Sequence, residues 1–121
     1  MSKNFVFNKI ALIGVGLIGG SIGMAIKKRK LADVIVGIDP NEENLDMARK
    51  LQAITLGTAD LSAGIQDAHL AIISAPVQKI PDLIAAVAAA TKGDCLITDT
   101  GSTKREILAQ VAGDTRFIGS H

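Results

Sequence analysis

The chain has 121 residues, a length typical of one domain, and its 13 Lys and Arg residues nearly balance its 12 Asp and Glu residues. A net charge of +1, no Trp, no Tyr and only three Phe argue against a nucleic-acid partner, which would need a basic or base-stacking surface. The single cysteine, Cys95, excludes an intramolecular disulfide; it is expected to be a small buried side chain in a reducing, cytoplasmic setting. No Cys/His cluster has metal-ligand spacing, so no metal is expected.

Residues 10–26 allow a second interpretation, a short membrane span, because this run of 17 residues carries no charge. It lies between Lys9 and the basic stretch KKRK, and it contains two GxxxG spacings. Against a span, the run is at the lower length limit, includes five glycines and is followed by an alternating pattern typical of a globular domain. We therefore expect no membrane partner.

Hydrophobic periodicity predicts strands alternating with helices along the chain. Short apolar runs that stop at Gly, Pro or polar residues predict six strands, at residues 9–14, 33–39, 53–56, 69–76, 94–100 and 115–119. Segments with apolar residues at helical spacing, or with helix start and stop signals, predict five helices, at residues 17–31, 41–51, 61–65, 81–92 and 103–112. Asn41, which stands before two Glu residues, is expected to cap the second of these helices. This alternation predicts an α/β fold with a doubly wound parallel sheet, whose ligand crevice lies at the carboxyl ends of the strands.

The stretch GVGLIGG places Gly14, Gly16 and Gly19 in G-x-G-x-x-G spacing, after a predicted strand and at the start of a predicted helix. In this context Gly14 permits a tight turn, Gly16 lets the backbone approach a pyrophosphate, and Gly19 allows close packing of helix on strand. The amides around Leu17 and Ile18 would then point at phosphate. The motif predicts a dinucleotide-binding (Rossmann) fold.

Asp39 follows Gly19 by 20 positions, at the end of the second predicted strand. A carboxylate there accepts hydrogen bonds from the adenosine ribose hydroxyls and repels the 2′-phosphate of NADP. NAD is therefore favoured over NADP, unless Asp39 only caps the following helix.

Five motifs together resemble the prephenate and arogenate dehydrogenase family of tyrosine biosynthesis: IALIGVGLIGGSIG, GID, ISAPV, ITDTGSTK and FIGSH. The resemblance covers essentially the whole chain, and the pair TDTGSTK and GSH is its more specific part. It implies oxidative decarboxylation of prephenate or arogenate, a cyclohexadienol, with NAD as the hydride acceptor. It also implies that His121 is the base that takes the hydroxyl proton, a role that suits histidine near neutral pH.

The same resemblance implies that Ser102 orients His121, and that Ser74, Ala75 and Pro76 lie along the cofactor. Family members continue after this histidine into a mostly helical domain that supplies dimer contacts and substrate-binding basic residues. We therefore expect residues 1–121 to be the NAD-binding domain of a homodimeric enzyme, inactive alone. Two alternatives stay open: the NAD domain of another reductase, such as a β-hydroxyacid dehydrogenase, and an NAD-binding module without chemistry.

Overall fold

A computed structural model of the chain describes residues 7–75, 77–91 and 95–99. Five strands are found there: β1 (Phe7–Ile13), β2 (Ala32–Ile38), β3 (Leu56–Thr58), β4 (Leu70–Ile73) and β5 (Leu96–Asp99). Four α-helices connect them: α1 (Leu17–Lys28), α2 (Glu42–Lys50), α3 (Leu61–Ile65) and α4 (Ile80–Ala90), the last preceded by a 3-10 turn at Val77–Lys79. The predicted helix at 103–112 and sixth strand at 115–119 lie outside the described residues.

All five strands pair in parallel, in the order β3-β2-β1-β4-β5. From the central strand β1 the chain first moves outward to β2 and β3, then returns across β1 to begin the other half at β4. Ile13 and Ile73 are register partners, so β1 and β4 end side by side where the direction reverses. The prediction of a doubly wound parallel α/β fold is confirmed.

The apolar core lies on both faces of this sheet, because neighbouring β1 residues point to opposite sides. Ile10 and Leu12 pack with α1 and α2 residues on one face, whereas Ala11 and Ile13 pack with α3 and α4 residues on the other. Burial on both faces explains why β1 is a continuous apolar run rather than an alternating one.

The helix ends follow recognisable local chemistry. Asn41 caps α2, its Oδ1 accepting hydrogen bonds from the Glu43 and Asn44 amides, as the sequence predicted. Helix α1 ends at Lys28, three residues before the predicted end, since Lys30 adopts a left-handed φ of 56° and Leu31 N–H donates to the Ile26 carbonyl. Leu31 continues the apolar pattern because it packs on the core after the helix has ended.

The predicted strand at 53–56 is wrong in its position, since β3 spans Leu56–Thr58. Ala53 and Ile54 are buried, but Ala53 N–H donates to the Ala48 carbonyl and so completes the end of α2. Thr55 bonds both backbone groups of Ile35 beside the sheet. The apolar pattern correctly indicated that these residues are buried. It did not indicate a strand, because residues in a turn that packs on the core are buried as well.

Across the described part of the chain, no helix has the length and apolar character needed to cross a membrane. The run at 10–26 is divided between β1, the glycine turn and α1, and does not form one long helix.

Candidate functional site

A crevice opens at the carboxyl ends of β1, β2 and β4, around a cavity of about 480 Å³. Cavities of this size accommodate small molecules and parts of cofactors. Its walls come from the glycine turn, the residues after β2, β3 and β4, and the starts of α2, α3 and α4. The lining residues are Ile13, Gly14, Gly16, Ile38, Asp39, Pro40, Asn44, Ala59, Leu61, Ser74, Ala75, Lys79 and Leu83.

The turn after β1 depends on Gly14, which has a φ of +94°. A Cβ atom on this residue would lie 2.0 Å from the Ser74 carbonyl oxygen, so any side chain would push the β1 and β4 ends apart. Backbone hydrogen bonds hold the turn on both sides: Gly14 N–H donates to the Ile38 carbonyl and Ser74 N–H to the Ile13 carbonyl, each at 2.7 Å.

The other two glycines of the motif serve different needs. A Cβ atom on Gly19 would lie 2.1 Å from the Gly14 carbonyl oxygen, so Gly19 lets the first turn of α1 pack directly on the glycine turn. Gly16 is exposed, and a Cβ atom there would meet nothing within 4 Å. The space beside the Gly16 backbone is therefore open to a ligand.

Helix α1 begins beside this space without a side-chain cap or an acidic residue in its first turn. Its first amides, including those of Leu17 and Ile18, precede any carbonyl that could accept them within the helix. A helix start of this kind favours an anion, because its unpaired N–H groups and the helix dipole both carry positive charge. The arrangement fits the phosphates of a nucleotide.

Asp39 is the central polar group of the crevice and is only 6% exposed. Its Oδ2 accepts hydrogen bonds from Val15 N–H at 3.0 Å and from Asn44 Nδ2 at 3.1 Å, and its Oδ1 accepts from Asn41 N–H at 2.9 Å. One carboxylate thus joins the glycine turn, the end of β2 and the start of α2.

Asp39 is not the cap of α2, although it does contact that helix start. The capping side chain is Asn41, whose own backbone N–H then donates to Asp39. The contact with Val15 is unrelated to capping, since it joins residues 24 positions apart. The alternative that Asp39 only caps the next helix is therefore wrong.

The structure brings five of the predicted site residues to one cavity: Gly14, Gly16, Asp39, Ser74 and Ala75. Gly19 lies behind the turn, and Leu17 and Ile18 form the first turn of α1. Pro76, Ser102 and His121 lie outside the described residues.

The sequence analysis missed two polar lining residues, Asn44 and Lys79. Asn44 lies inside the predicted helix at 41–51, and Lys79 lies between two predicted elements with no motif around it. Neither has a local signal, because their place in the crevice depends on how α2 and α4 pack.

His69 and Cys95 lie away from this crevice. His69 is exposed just before β4, at the amino end of the sheet. Cys95 is half-buried just before β5, and this burial raises the pKa of its thiol, as expected for a structural rather than reactive cysteine. Among the described residues, no group of three or more His, Cys, Asp or Glu side chains is arranged to hold a metal ion.

Comparison of the sequence with known proteins identifies one family. The family model described as the nucleotide-binding domain of prephenate dehydrogenase matches residues 22–121. The chain is 34% identical over 123 residues to prephenate dehydrogenase of Bacillus subtilis, covering 98% of this chain and 33% of that protein. It is 39% identical over 119 residues to prephenate dehydrogenase of Lactococcus lactis, covering 93% of this chain and 33% of that protein.

A solved structure supports the fold. Prephenate dehydrogenase from A. aeolicus, in complex with hydroxyphenyl propionate and NAD+, has a TM-score of 0.70 and 23% identity, covering 77% of this chain and 33% of that chain.

Fold and crevice define a nucleotide-binding α/β domain. The chain belongs to the family of prephenate dehydrogenase nucleotide-binding domains. It spans about a third of the length of the curated relatives that it matches.

Proposed function

We propose that this chain is the NAD-binding domain of a dehydrogenase that oxidatively decarboxylates prephenate or arogenate. The observation that carries the proposal is the Asp39 carboxylate, fixed at the end of β2 beside a glycine turn with an open face. The family match and the relatives named prephenate dehydrogenase support this activity, and the family resemblance of the sequence implies the oxidative decarboxylation.

The cavity has the features that each part of NAD needs. Pro40, Leu61 and Leu83 line the same cavity as Asp39, and their apolar side chains suit an adenine ring. The Asp39 carboxylate suits the ribose hydroxyls, and the open helix start suits the pyrophosphate. The residues present therefore fit the dinucleotide.

Bound NAD supplies a hydride acceptor, and the protein supplies the binding and the proton transfer. In the proposed reaction the ring carbon that bears the hydroxyl loses a hydride, a base takes the hydroxyl proton, and CO2 leaves as the ring becomes aromatic. We assign the base to His121 and its orientation to Ser102 on the strength of the family resemblance. Ser74 and Ala75, which line the cavity after β4, would lie along the cofactor.

The substrate is proposed to bind largely to a further helical domain, through which the whole enzyme would dimerise. The relatives are about three times as long as this chain, which leaves room for such a domain. A cytoplasmic location stays a prediction from the single cysteine.

Titration of the purified 121-residue chain with NADH tests the proposal. The chain has no Trp whose fluorescence could report binding, so the signals are NADH fluorescence and the heat measured by calorimetry. We expect saturable binding that is weakened about tenfold or more by Asp39→Ala, since a charged acceptor of the ribose is lost. No binding to wild-type protein would overturn the proposed function.

The same preparation, supplied with NAD and either prephenate or arogenate, tests the need for a further domain. We expect no NADH to form. Turnover by these residues alone would show that substrate binding does not need another domain.

A further inference from the structure

Asn44 stands at the third position of α2, but its side chain serves a residue outside the helix. Glu or Gln at this position commonly bonds back to the N–H of the capping residue. Here that N–H, from Asn41, donates to Asp39 Oδ1 at 2.9 Å, and Asn44 Nδ2 donates to Asp39 Oδ2 at 3.1 Å. The cap itself comes from the Asn41 side chain. The start of α2 therefore does not need the Asn44 side-chain amide.

The contact restricts how the Asp39 carboxylate is oriented. A carboxylate oxygen has two favourable acceptor positions, and Oδ2 fills both with Val15 N–H and Asn44 Nδ2. Among the described residues, Oδ1 accepts a hydrogen bond only from Asn41 N–H, which leaves its second acceptor position for a further donor. Asn44 is half-buried and lines the same cavity as Asp39. The pair is thus a fixed part of the crevice wall.

We propose that Asn44 is a positioning residue that sets the preference of this crevice for NAD over NADP by holding the Asp39 carboxylate in one orientation. This inference rests on the proposed function. Because both acceptor positions of Oδ2 are occupied, Asp39 presents Oδ1 to a ribose hydroxyl. The negative charge of the carboxylate then stays where the 2′-phosphate of NADP would need to lie. Without the Asn44 amide, one of the two bonds to Oδ2 is lost, and the carboxylate can turn to reduce its repulsion with a 2′-phosphate.

The test measures the dissociation constants of NADH and NADPH for the 121-residue chain and its variants by calorimetry. Asn44→Ala is expected to weaken NADH binding and strengthen NADPH binding. The ratio of the NADPH to the NADH dissociation constant then falls about tenfold, which corresponds to ~1.4 kcal/mol.

Asn41→Ala is the matched control, because it is the same substitution in the same helix turn. It removes the cap of α2, and its unfolding midpoint is expected to fall at least as far as that of Asn44→Ala. It leaves Val15, Asn44 and the Asn41 backbone as donors to Asp39. Its nucleotide ratio is therefore expected to stay within about twofold of wild type, whereas a merely structural role for Asn44 would move both ratios alike.

Asn44→Asp is a second variant that keeps the side-chain size and adds a charge favourable to a helix start. It removes the donor and places a second carboxylate against Asp39, so NADH binding is expected to weaken at least tenfold while far-UV circular dichroism is unchanged.

Three outcomes are decisive. If wild-type protein binds neither nucleotide, the proposed function is wrong. If wild type prefers NADH and Asn44→Ala keeps its ratio, the inference is wrong and the proposed function stands. If Asn44→Asp binds NADH as tightly as wild type, the inference is likewise overturned.

Discussion

Replacing Asp39 by Asn tests the polar junction of the crevice with almost no change in shape. Within the described part of the chain the carboxylate accepts three hydrogen bonds, two at Oδ2 and one at Oδ1. An Asn side chain has one oxygen, so its NH2 group must face at least one N–H donor in either orientation. With the amide oxygen in the Oδ2 position, Val15 and Asn44 keep their acceptor, and Asn41 N–H loses its own.

The expected cost follows from that count. A part-buried donor left without a partner costs ~1–3 kcal/mol, and the two remaining bonds lose the strengthening that a charged acceptor gives. We expect Asp39→Asn to lower the free energy of unfolding by about 2 kcal/mol. For a domain of this size the thermal midpoint then falls by roughly 6 to 10 °C. NADH binding should weaken about tenfold as the charged ribose acceptor disappears.

Thermal unfolding followed by far-UV circular dichroism measures the first effect, and calorimetry with NADH the second. Asp46→Asn is the matched control, since Asp46 lies on α2, is 64% exposed and, among the residues that the structure describes, pairs with the exposed Arg49. Such a surface pair contributes at most ~0.5 kcal/mol. Equal midpoints for the two variants would refute the view that Asp39 is a structural junction, and equal NADH affinities would refute its role in binding.

Three further outcomes are expected from the same structure. Gly19→Ala should destabilise the fold by about 2 kcal/mol or more, because its Cβ would lie 2.1 Å from the Gly14 carbonyl oxygen. Gly20→Ala should stabilise it by ~0.5–1 kcal/mol, because the atom nearest to its Cβ would be 3.7 Å away and Ala favours a helix over Gly. Urea denaturation measures both variants, and the opposite ranking would contradict the geometry. Thr98→Val should raise the free energy of unfolding by about 1 kcal/mol, since the Thr98 hydroxyl is buried and has no hydrogen-bond partner in the described residues. If the same denaturation shows a lower free energy of unfolding, the hydroxyl has a hydrogen-bond partner. Cys95 should react with iodoacetamide roughly tenfold more slowly in native than in urea-unfolded protein. Burial raises the pKa of its thiol, so less thiolate is present at mildly alkaline pH in the native state. Equal reaction rates in the two states would contradict this prediction.

The sequence predicted the parts of this molecule that depend on local chemistry. Residues 61–65 form α3 with the predicted bounds, and Asn41 caps α2 as its position before two Glu residues indicated. The glycine spacing and the acid after β2 also identified the crevice: Gly14 and Gly19 each meet a separate steric need, and Gly16 leaves the space beside its backbone open.

Features that depend on packing between distant elements had no signal in the sequence. The Val15 contact of Asp39 requires the glycine turn to lie beside the end of β2, 24 positions along the chain. Asn44 is only five positions from Asp39, but its contact depends on the direction in which α2 leaves β2. Similarly, residues 53 and 54 are buried without belonging to a strand, a difference that hydrophobic pattern alone does not express.

The central position of β1 has a consequence for the order in which the crevice assembles. Its pairing with β2 joins residues about 25 positions apart, but its pairing with β4 joins Ile10 to Leu70, some sixty residues further along the chain. Contacts of such separation form late, because the intervening segment must first lose its freedom. The Ser74 wall against Gly14 therefore arrives only when β4 docks. A nascent chain that has folded through β3 holds the carboxylate and the glycine turn but lacks the opposite wall. Nucleotide binding during synthesis or refolding would thus report the docking of β4 on β1, and not the folding of β1 to β3 alone.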